Sequence, residues 1–165
     1  MELPDTNRLL ETLAGEIRGA LDGKTYLVGI HTGGAWLAEK LHLMLGIETP
    51  PGTLDISFYR DDFARIGLHP EVKRSDIPFD VDDSDIILVD DVLHTGRTVR
   101  AAINELFDYG RPSRIRLAVL VDRGGRELPI EPTFAAFRID LDGDRMIDLV
   151  RKESGELELE LRSRA

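Results

Sequence analysis

Apolar and polar positions follow two rhythms along this chain, and together they divide it into helices and strands. The first rhythm is helical: Leu9, Leu10, Leu13, Ile17 and Leu21 share a face, with Asp5 or Thr6 as the cap and Asp22-Gly23 as the stop. Tyr26 to Ile30 then reads as a short strand, and the glycine-bearing turn His31-Thr32-Gly33-Gly34 leads into a helix with Leu37, Leu41 and Leu45, ended by Gly46. From Thr53 to Tyr59 the period becomes two, with Leu54, Ile56 and Phe58 on one side of a half-buried strand. Residues 60–78 lose clean periodicity and carry Gly67, Pro70 and Pro78, which predicts a long loop. Ile86 to Val89 is the next apolar strand, followed by a helical pattern of Val99, Ala102, Ile103 and Leu106 that Gly110 and Pro112 terminate. Ile115 to Val121 is almost continuously apolar, as a central parallel strand requires, and Phe134 to Ile139 is a shorter strand. Met146 to Val150 and Leu157 to Leu161, on either side of Ser154-Gly155, read as a hairpin with an acidic outer face of Glu156, Glu158 and Glu160. The recurrence of strand, loop and helix predicts an α/β protein with a mostly parallel central sheet flanked by helices and a C-terminal β-hairpin, a single domain over residues 1–165.

One stretch carries more than pattern. Residues 86–98 run from the apolar strand into two adjacent carboxylates, Asp90 and Asp91, and then through Val92, Leu93, His94, Thr95, Gly96, Arg97 and Thr98 to a helix start. Helix N-termini gather free backbone N–H groups and the positive end of the helix dipole, so the natural guest is an anion, above all a phosphate. Thr95 and Thr98 add hydroxyl donors, and Gly96 allows close approach. The carboxylates cannot hold that phosphate themselves and suit hydroxyl groups or a hydrated cation beside it. A phosphate cradle next to an acidic pair matches a sugar phosphate. The loop has neither the Gly-Lys-Ser/Thr of a P-loop nor the Gly-x-Gly-x-x-Gly of a dinucleotide fold. Taken alone, the same residues also fit a polar strand exit with Thr95 capping the helix. The turn at Thr32, Gly33 and Gly34 gives a second helix start of the same kind, or a plain turn that needs glycine.

Composition narrows the field. The chain has 165 residues, no cysteine and a formal charge of −10. Disulfides, thiolate catalysis and Cys-ligated zinc are excluded, and His31, His42, His69 and His94 lack metal-ligand spacing. No basic-plus-apolar leader or long apolar run is present, which makes a cytoplasmic protein without a membrane partner the expectation. The negative charge opposes binding of DNA or RNA through the general field. It leaves room for a local basic face, since Arg97, Arg100, Arg111, Arg114, Arg116, Arg123 and Arg126 fall within thirty residues.

At these residues the chain resembles a known family. The run 86–98 is similar to the phosphoribosyl pyrophosphate (PRPP) signature of type I phosphoribosyltransferases. Asp55 to Asp62, Asn104 to Pro112, Leu117 to Gly124 and Arg126 to Ile130 resemble the PyrR family of pyrimidine-operon regulators with uracil phosphoribosyltransferase activity. The resemblance implies the type I phosphoribosyltransferase fold with a small hood. It implies that Asp90 and Asp91 are the catalytic pair that binds the ribose hydroxyls, and that residues 92–98 hold the 5′-phosphate. It further implies that Thr32, Gly33 and Gly34 contact pyrophosphate, that Tyr59, Arg60, Asp61 and Asp62 open a mobile loop over the reacting centre, and that Val121, Asp122 and Arg123 receive the base. Mg²⁺ is the implied cofactor, held through PRPP and waters near the acidic pair with no direct protein ligand. PRPP, uracil and uridine monophosphate (UMP) are the implied ligands, and a homo-oligomer, dimer or higher, the implied assembly.

Three departures from the family stand out. Gly33 replaces the Arg of the common Thr-Arg-Gly, Gly125 stands where relatives commonly carry His, and the Lys-bearing Pro-Thr-Ser segment of attenuator-type relatives is missing near Phe137 to Asp142. Two other functions therefore stay open beside uracil phosphoribosyl transfer. One is a UMP-sensing, RNA-binding attenuation regulator with little catalysis, which the Arg-rich stretch permits and the charge of −10 opposes. The other is a purine phosphoribosyltransferase, which shares the loop chemistry but needs a wider hood. Arg126 reads either as part of the base-side loop or as an exposed surface arginine.

Overall fold

A computed structural model describes residues 2–56 and 75–163. Tyr59, Arg60, Asp61 and Asp62 lie outside the described residues, as do the second half of the strand expected from Thr53 to Tyr59 and most of the loop that follows it.

The elements follow the sequence pattern closely. Helix α1, Thr6–Arg18, starts on an Asp5 side chain that accepts the Arg8 N–H at 3.3 Å and ends at Gly19, a turn earlier than the apolar pattern suggests. Strand β1, Thr25–Ile30, feeds helix α2, Gly33–Leu45, which Gly46 closes in the left-handed conformation. Then come β2, Gly52–Leu54; β3, Asp85–Leu93; α3, Arg97–Tyr109; β4, Arg114–Asp122; and β5, Phe134–Arg138. Strands β6, Arg145–Arg151, and β7, Leu157–Ser163, form the antiparallel hairpin.

Five strands make one sheet in the order β2-β1-β3-β4-β5, all parallel. The side chains of β3 alternate between two cores. Ile87 and Val89 join the core made with α1, α2 and the hairpin, while Ile86 and Leu88 join the core under α3. Burial on both faces is why β3 and β4 read as unbroken apolar runs. The chain leaves β1 toward β2 on one side and β3 toward β4 on the other. The order therefore reverses between β1 and β3, and open parallel sheets offer their binding crevice at the carboxyl ends of such a pair.

Candidate active site

Strand β3 continues past the acidic pair, because its register with β4 carries on through Val92–Val121 and Leu93–Asp122. Asp90 and Asp91 thus sit inside the strand, not beyond its end, and the pleat points them to opposite faces. Asp90, 6% exposed, lies on the α3 side and lines a cavity of about 390 Å³ with Val92, His94, Thr95, Gly96, Thr98 and Glu127. Asp91 lies on the α2 side, against Gly33. Each carboxylate accepts the next backbone N–H: Asp91 N–H to Asp90 Oδ1 at 2.9 Å, and Val92 N–H to Asp91 Oδ1 at 2.8 Å.

Both candidate loops lead into helix N-termini. Gly96, with φ +96°, forms the N-cap of α3, and Thr32 forms that of α2. Neither helix has a side-chain cap or an acidic residue in its own first turn, and at the start of α2 the carboxylate that comes near is that of Asp91 from β3, against Gly33. Thr95 Oγ1 accepts the Arg97 N–H at 3.2 Å, which fixes the phosphate loop just before α3. The peptide between His31 and Thr32 is cis. Gly34 packs directly on the Val89 carbonyl, so α2 begins against the backbone of β3, and the start of α2 meets Asp91 across the switch point.

The segment after β4 wraps the phosphate loop. Arg123 N–H donates to the Leu93 carbonyl at 3.0 Å, and the N–H groups of Glu127 and Leu128 both donate to the Thr95 carbonyl, at 2.9 and 3.1 Å. His94 Nδ1 lies 2.9 Å from the Gly124 carbonyl, which makes it the donor, and the ring occupies the space a side chain at Gly125 would fill. Of the expected base-side residues, Val121 is held in the sheet between Val92 and Phe137, and Arg123 turns its guanidinium to the carbonyls of Arg145 and Asp142. Asp122 takes three donors: Gly124 N–H at 3.0 Å, Arg126 Nη2 at 2.7 Å and Arg138 Nη1 at 3.0 Å. Burial pushes its carboxyl up, but these hydrogen bonds and the charges of Arg126 and Arg138 outweigh it and hold the group below the usual carboxylate value. A second cavity of about 330 Å³ opens here between Asp122, Gly124, Arg138, Ile139 and Asp140. His94 lines the first cavity and its partner Gly124 the second.

The sequence reading left out Glu127, Arg138 and Asp140, and it undervalued Arg126, which is only 17% exposed and engages three acceptors. One signal was available: Asp122 and Arg126 are opposite charges four residues apart. The arginine-rich run is also less of a free basic face than its spacing suggests. Arg97 pairs with Glu127, Arg114 and Arg116 with Asp85, and Arg126 with Asp122.

Two loop-to-helix turns on either side of an acidic pair, at the switch point of a parallel sheet, fit a phosphoribosyltransferase domain, and the comparisons with known proteins show one. The family model described as phosphoribosyl transferase domain matches residues 2–142. Among solved structures, the purine phosphoribosyltransferase of Pyrococcus horikoshii superposes with a TM-score of 0.62 at 26% identity, covering 82% of this chain and 83% of the other. A hypoxanthine phosphoribosyltransferase of Staphylococcus aureus gives 0.66 at 19%, covering 87% and 79%, a likeness of fold alone. Among curated proteins, the Bifunctional protein PyrR of Pseudomonas paraeruginosa is 51% identical over 154 residues, 91% of each chain. That of Nitrosococcus oceani is 55% identical over 128 residues, 76% of this chain and 72% of its own. The chain belongs to the PyrR family of phosphoribosyltransferases.

Proposed function

We propose that this protein transfers the phosphoribosyl group of PRPP to uracil, giving UMP and pyrophosphate. The observation that carries the reading is the pairing of the Asp90 cavity at the N-terminus of α3 with the Gly33–Asp91 contact at the N-terminus of α2. It supplies one seat for a 5′-phosphate, a second for pyrophosphate, and carboxylates between them for the ribose hydroxyls. Uracil N1 attacks the anomeric carbon, the bond from that carbon to the pyrophosphate oxygen breaks, and the N1 proton passes to solvent. The leaving group takes the bonding electrons, and the ribose ring passes through an oxocarbenium-like state. Asp90 and Asp91 hold the ribose hydroxyls and place negative potential beside that developing cation. Backbone N–H groups at the start of α2 receive the charge growing on pyrophosphate.

The donor set suits a magnesium ion that arrives on the diphosphate. Two carboxylates are at hand, each already accepting a backbone N–H, and among the described residues no cluster of three or more metal-ligating side chains forms a protein cage. When bound, magnesium supplies neutralisation of the leaving pyrophosphate.

The 330 Å³ cavity beside Asp122 supports this end of β4 and β5 as the place of the base, with room for a pyrimidine or a purine. The family relationship supports uracil as that base. The PyrR relatives are named bifunctional, which supports a second role in pyrimidine gene control. The family relationship supports assembly of this chain with further copies. The deciding test is product formation from PRPP with uracil, hypoxanthine or orotate in the presence of magnesium. UMP from uracil alone is expected. Turnover of hypoxanthine in its place would transfer the assignment to purines, and UMP binding without turnover would transfer it to a nucleotide sensor.

A further inference from the structure

Arg126 engages three acceptors beside the site, yet it lines neither cavity. Its Nη1 donates to the His94 carbonyl at 3.1 Å, in the phosphate loop. Its Nη2 donates to Asp122 Oδ2 at 2.7 Å, at the mouth of the second cavity. Its Nε donates to the Ile130 carbonyl at 2.7 Å, which anchors the guanidinium to the segment it belongs to. A planar fork with a fixed donor pattern can hold these acceptors together, whereas an ammonium is a single point of attachment. Asp122 in turn positions Gly124 through its N–H and Arg138 through its guanidinium, and both line the second cavity.

From this arrangement we propose that Arg126 is a positioning residue that joins the phosphate loop to the base-side loop, so that the two halves of a nucleotide are bound as one unit. The proposal rests on the phosphoribosyltransferase reading above and adds, beside the His94–Gly124 hydrogen bond, a second side chain that joins the two subsites. Arg126 acts through the His94 carbonyl and the Asp122 carboxylate rather than by touching the ligand. Without it the phosphate loop keeps its own ties, since the N–H groups of Glu127 and Leu128 still bond the Thr95 carbonyl and that of Arg123 still bonds Leu93. The base-side loop loses more: the Asp122 carboxylate retains only Gly124 and the exposed Arg138, and its tie to the His94 carbonyl through the guanidinium is gone.

Calorimetric titration of the full chain with ribose 5-phosphate, UMP and inosine monophosphate separates the two effects. The proteins are wild type, Arg126→Ala, Arg126→Lys and, as a control, Glu131→Gln, which removes only an exposed neighbour 3.5 Å from the guanidinium. Ribose 5-phosphate affinity is expected to stay within about threefold in both Arg126 variants. Nucleotide affinity is expected to fall by roughly 10-fold in Arg126→Lys and roughly 100-fold in Arg126→Ala, the scale of one or two hydrogen bonds to charged groups. Glu131→Gln should match wild type. Thermal melts report whether Arg126→Ala is folded at the titration temperature, and if it is not, Arg126→Lys carries the test. Equal weakening of sugar phosphate and nucleotide, or no change in either, overturns the proposal. Preference for inosine monophosphate over UMP would refute the uracil assignment while the joint is read on the purine nucleotide. If no nucleotide binds wild type more tightly than ribose 5-phosphate, Arg126 has no coupling to transmit and the proposal falls.

Discussion

Gly33, the first residue of α2, lies so close to Asp91 on β3 that a Cβ atom at position 33 would overlap the Asp91 carboxylate. The start of α2 and Asp91 are therefore one packed unit, and the glycine is a condition of that packing. The Arg found at this position in many relatives does not fit beside Asp91 as it stands here. The missing cation and the inward carboxylate are thus two sides of one local arrangement.

Gly33→Ala should therefore displace Asp91 and disturb catalysis more than folding. Gly33 does not have a positive φ, so the substitution adds no backbone strain of the left-handed kind. A carboxylate moved by about 1 Å can lower the rate on the order of 100-fold. Steady-state kinetics with PRPP and uracil, alongside a thermal melt, check this. A variant with wild-type kcat and KM would show that Asp91 tolerates the shift.

Asp90→Asn and Asp91→Asn should each lower kcat/KM, by roughly 2.7–4 kcal/mol if each carboxylate stabilises charge developing on the ribose. Their surroundings predict different secondary effects. Asp90 lines the phosphate cavity, so its loss should also alter UMP binding, whereas Asp91 faces the pyrophosphate turn, so its loss should alter pyrophosphate inhibition. Identical inhibition patterns in the two variants would contradict the opposed placement on β3.

Acid should destabilise the fold through a cluster at the other end of the sheet. Asp85, at the start of β3, accepts from Arg114, Arg116 and Thr25, each at 2.8–3.0 Å. Burial raises its carboxyl, but the Arg114 and Thr25 hydrogen bonds and the two guanidinium charges hold it below the usual value. A depressed folded value contributes stability that is fully present above the unfolded value of about 3.9 and is lost as pH falls through the folded one. Asp122 behaves with the same sign. Urea unfolding should give stability that these groups leave unchanged between pH 7 and 5 and that declines below about pH 4. Asp85→Asn should lose about 3 kcal/mol at pH 7, because Arg116 is left buried without its charge partner, and should show a shallower acid decline. An unchanged acid slope in that variant would remove Asp85 as a source of the effect.

Most of the sheet was legible because its strands are buried on both faces and its helices are amphipathic, so period and burial agree at Leu27, Ile87, Leu120 and Leu106. The strand, turn and helix start of residues 86–98 were legible because that pattern is local. What the pattern could not give was anything that depends on two segments meeting. The opposed faces of Asp90 and Asp91 required the continued pairing of β3 with β4 beyond Val89. The closeness of Gly33 to Asp91 required the switch point between β1 and β3. Arg126 looked like a surface arginine because its acceptors are mainly backbone carbonyls, at His94 and Ile130, and carbonyls have no sequence signature. The Arg-rich run misled in the same way, since its charges are largely matched by partners such as Asp85 that lie far off in sequence.

The hairpin poses the same problem of long-range contact, and its prediction follows from where it packs. The alternation of β6 and β7 places Ile147, Leu149, Leu157 and Leu159 in the core shared with Leu9 and Leu13 of α1 and with Ile87 and Val89 of β3. Arg151 adds a guanidinium 4.8 Å from the Trp36 ring, tying the end of β6 to α2. The hairpin is thus a wall of the main core, although residues 146–161 carry an acidic outer face. Leu159→Ala should remove buried contacts and leave a cavity, at about 3 kcal/mol, which for a chain of this size lowers the melting midpoint by roughly 10 °C. Glu158→Ala, on the exposed side of the same strand, should change it little, because its exposed pair with Lys152 contributes at most about 1 kcal/mol. Thermal unfolding followed by circular dichroism distinguishes the two. A Leu159→Ala protein that melts with wild type would mean that the hairpin folds on its own rather than as part of the core that positions α1 and α2.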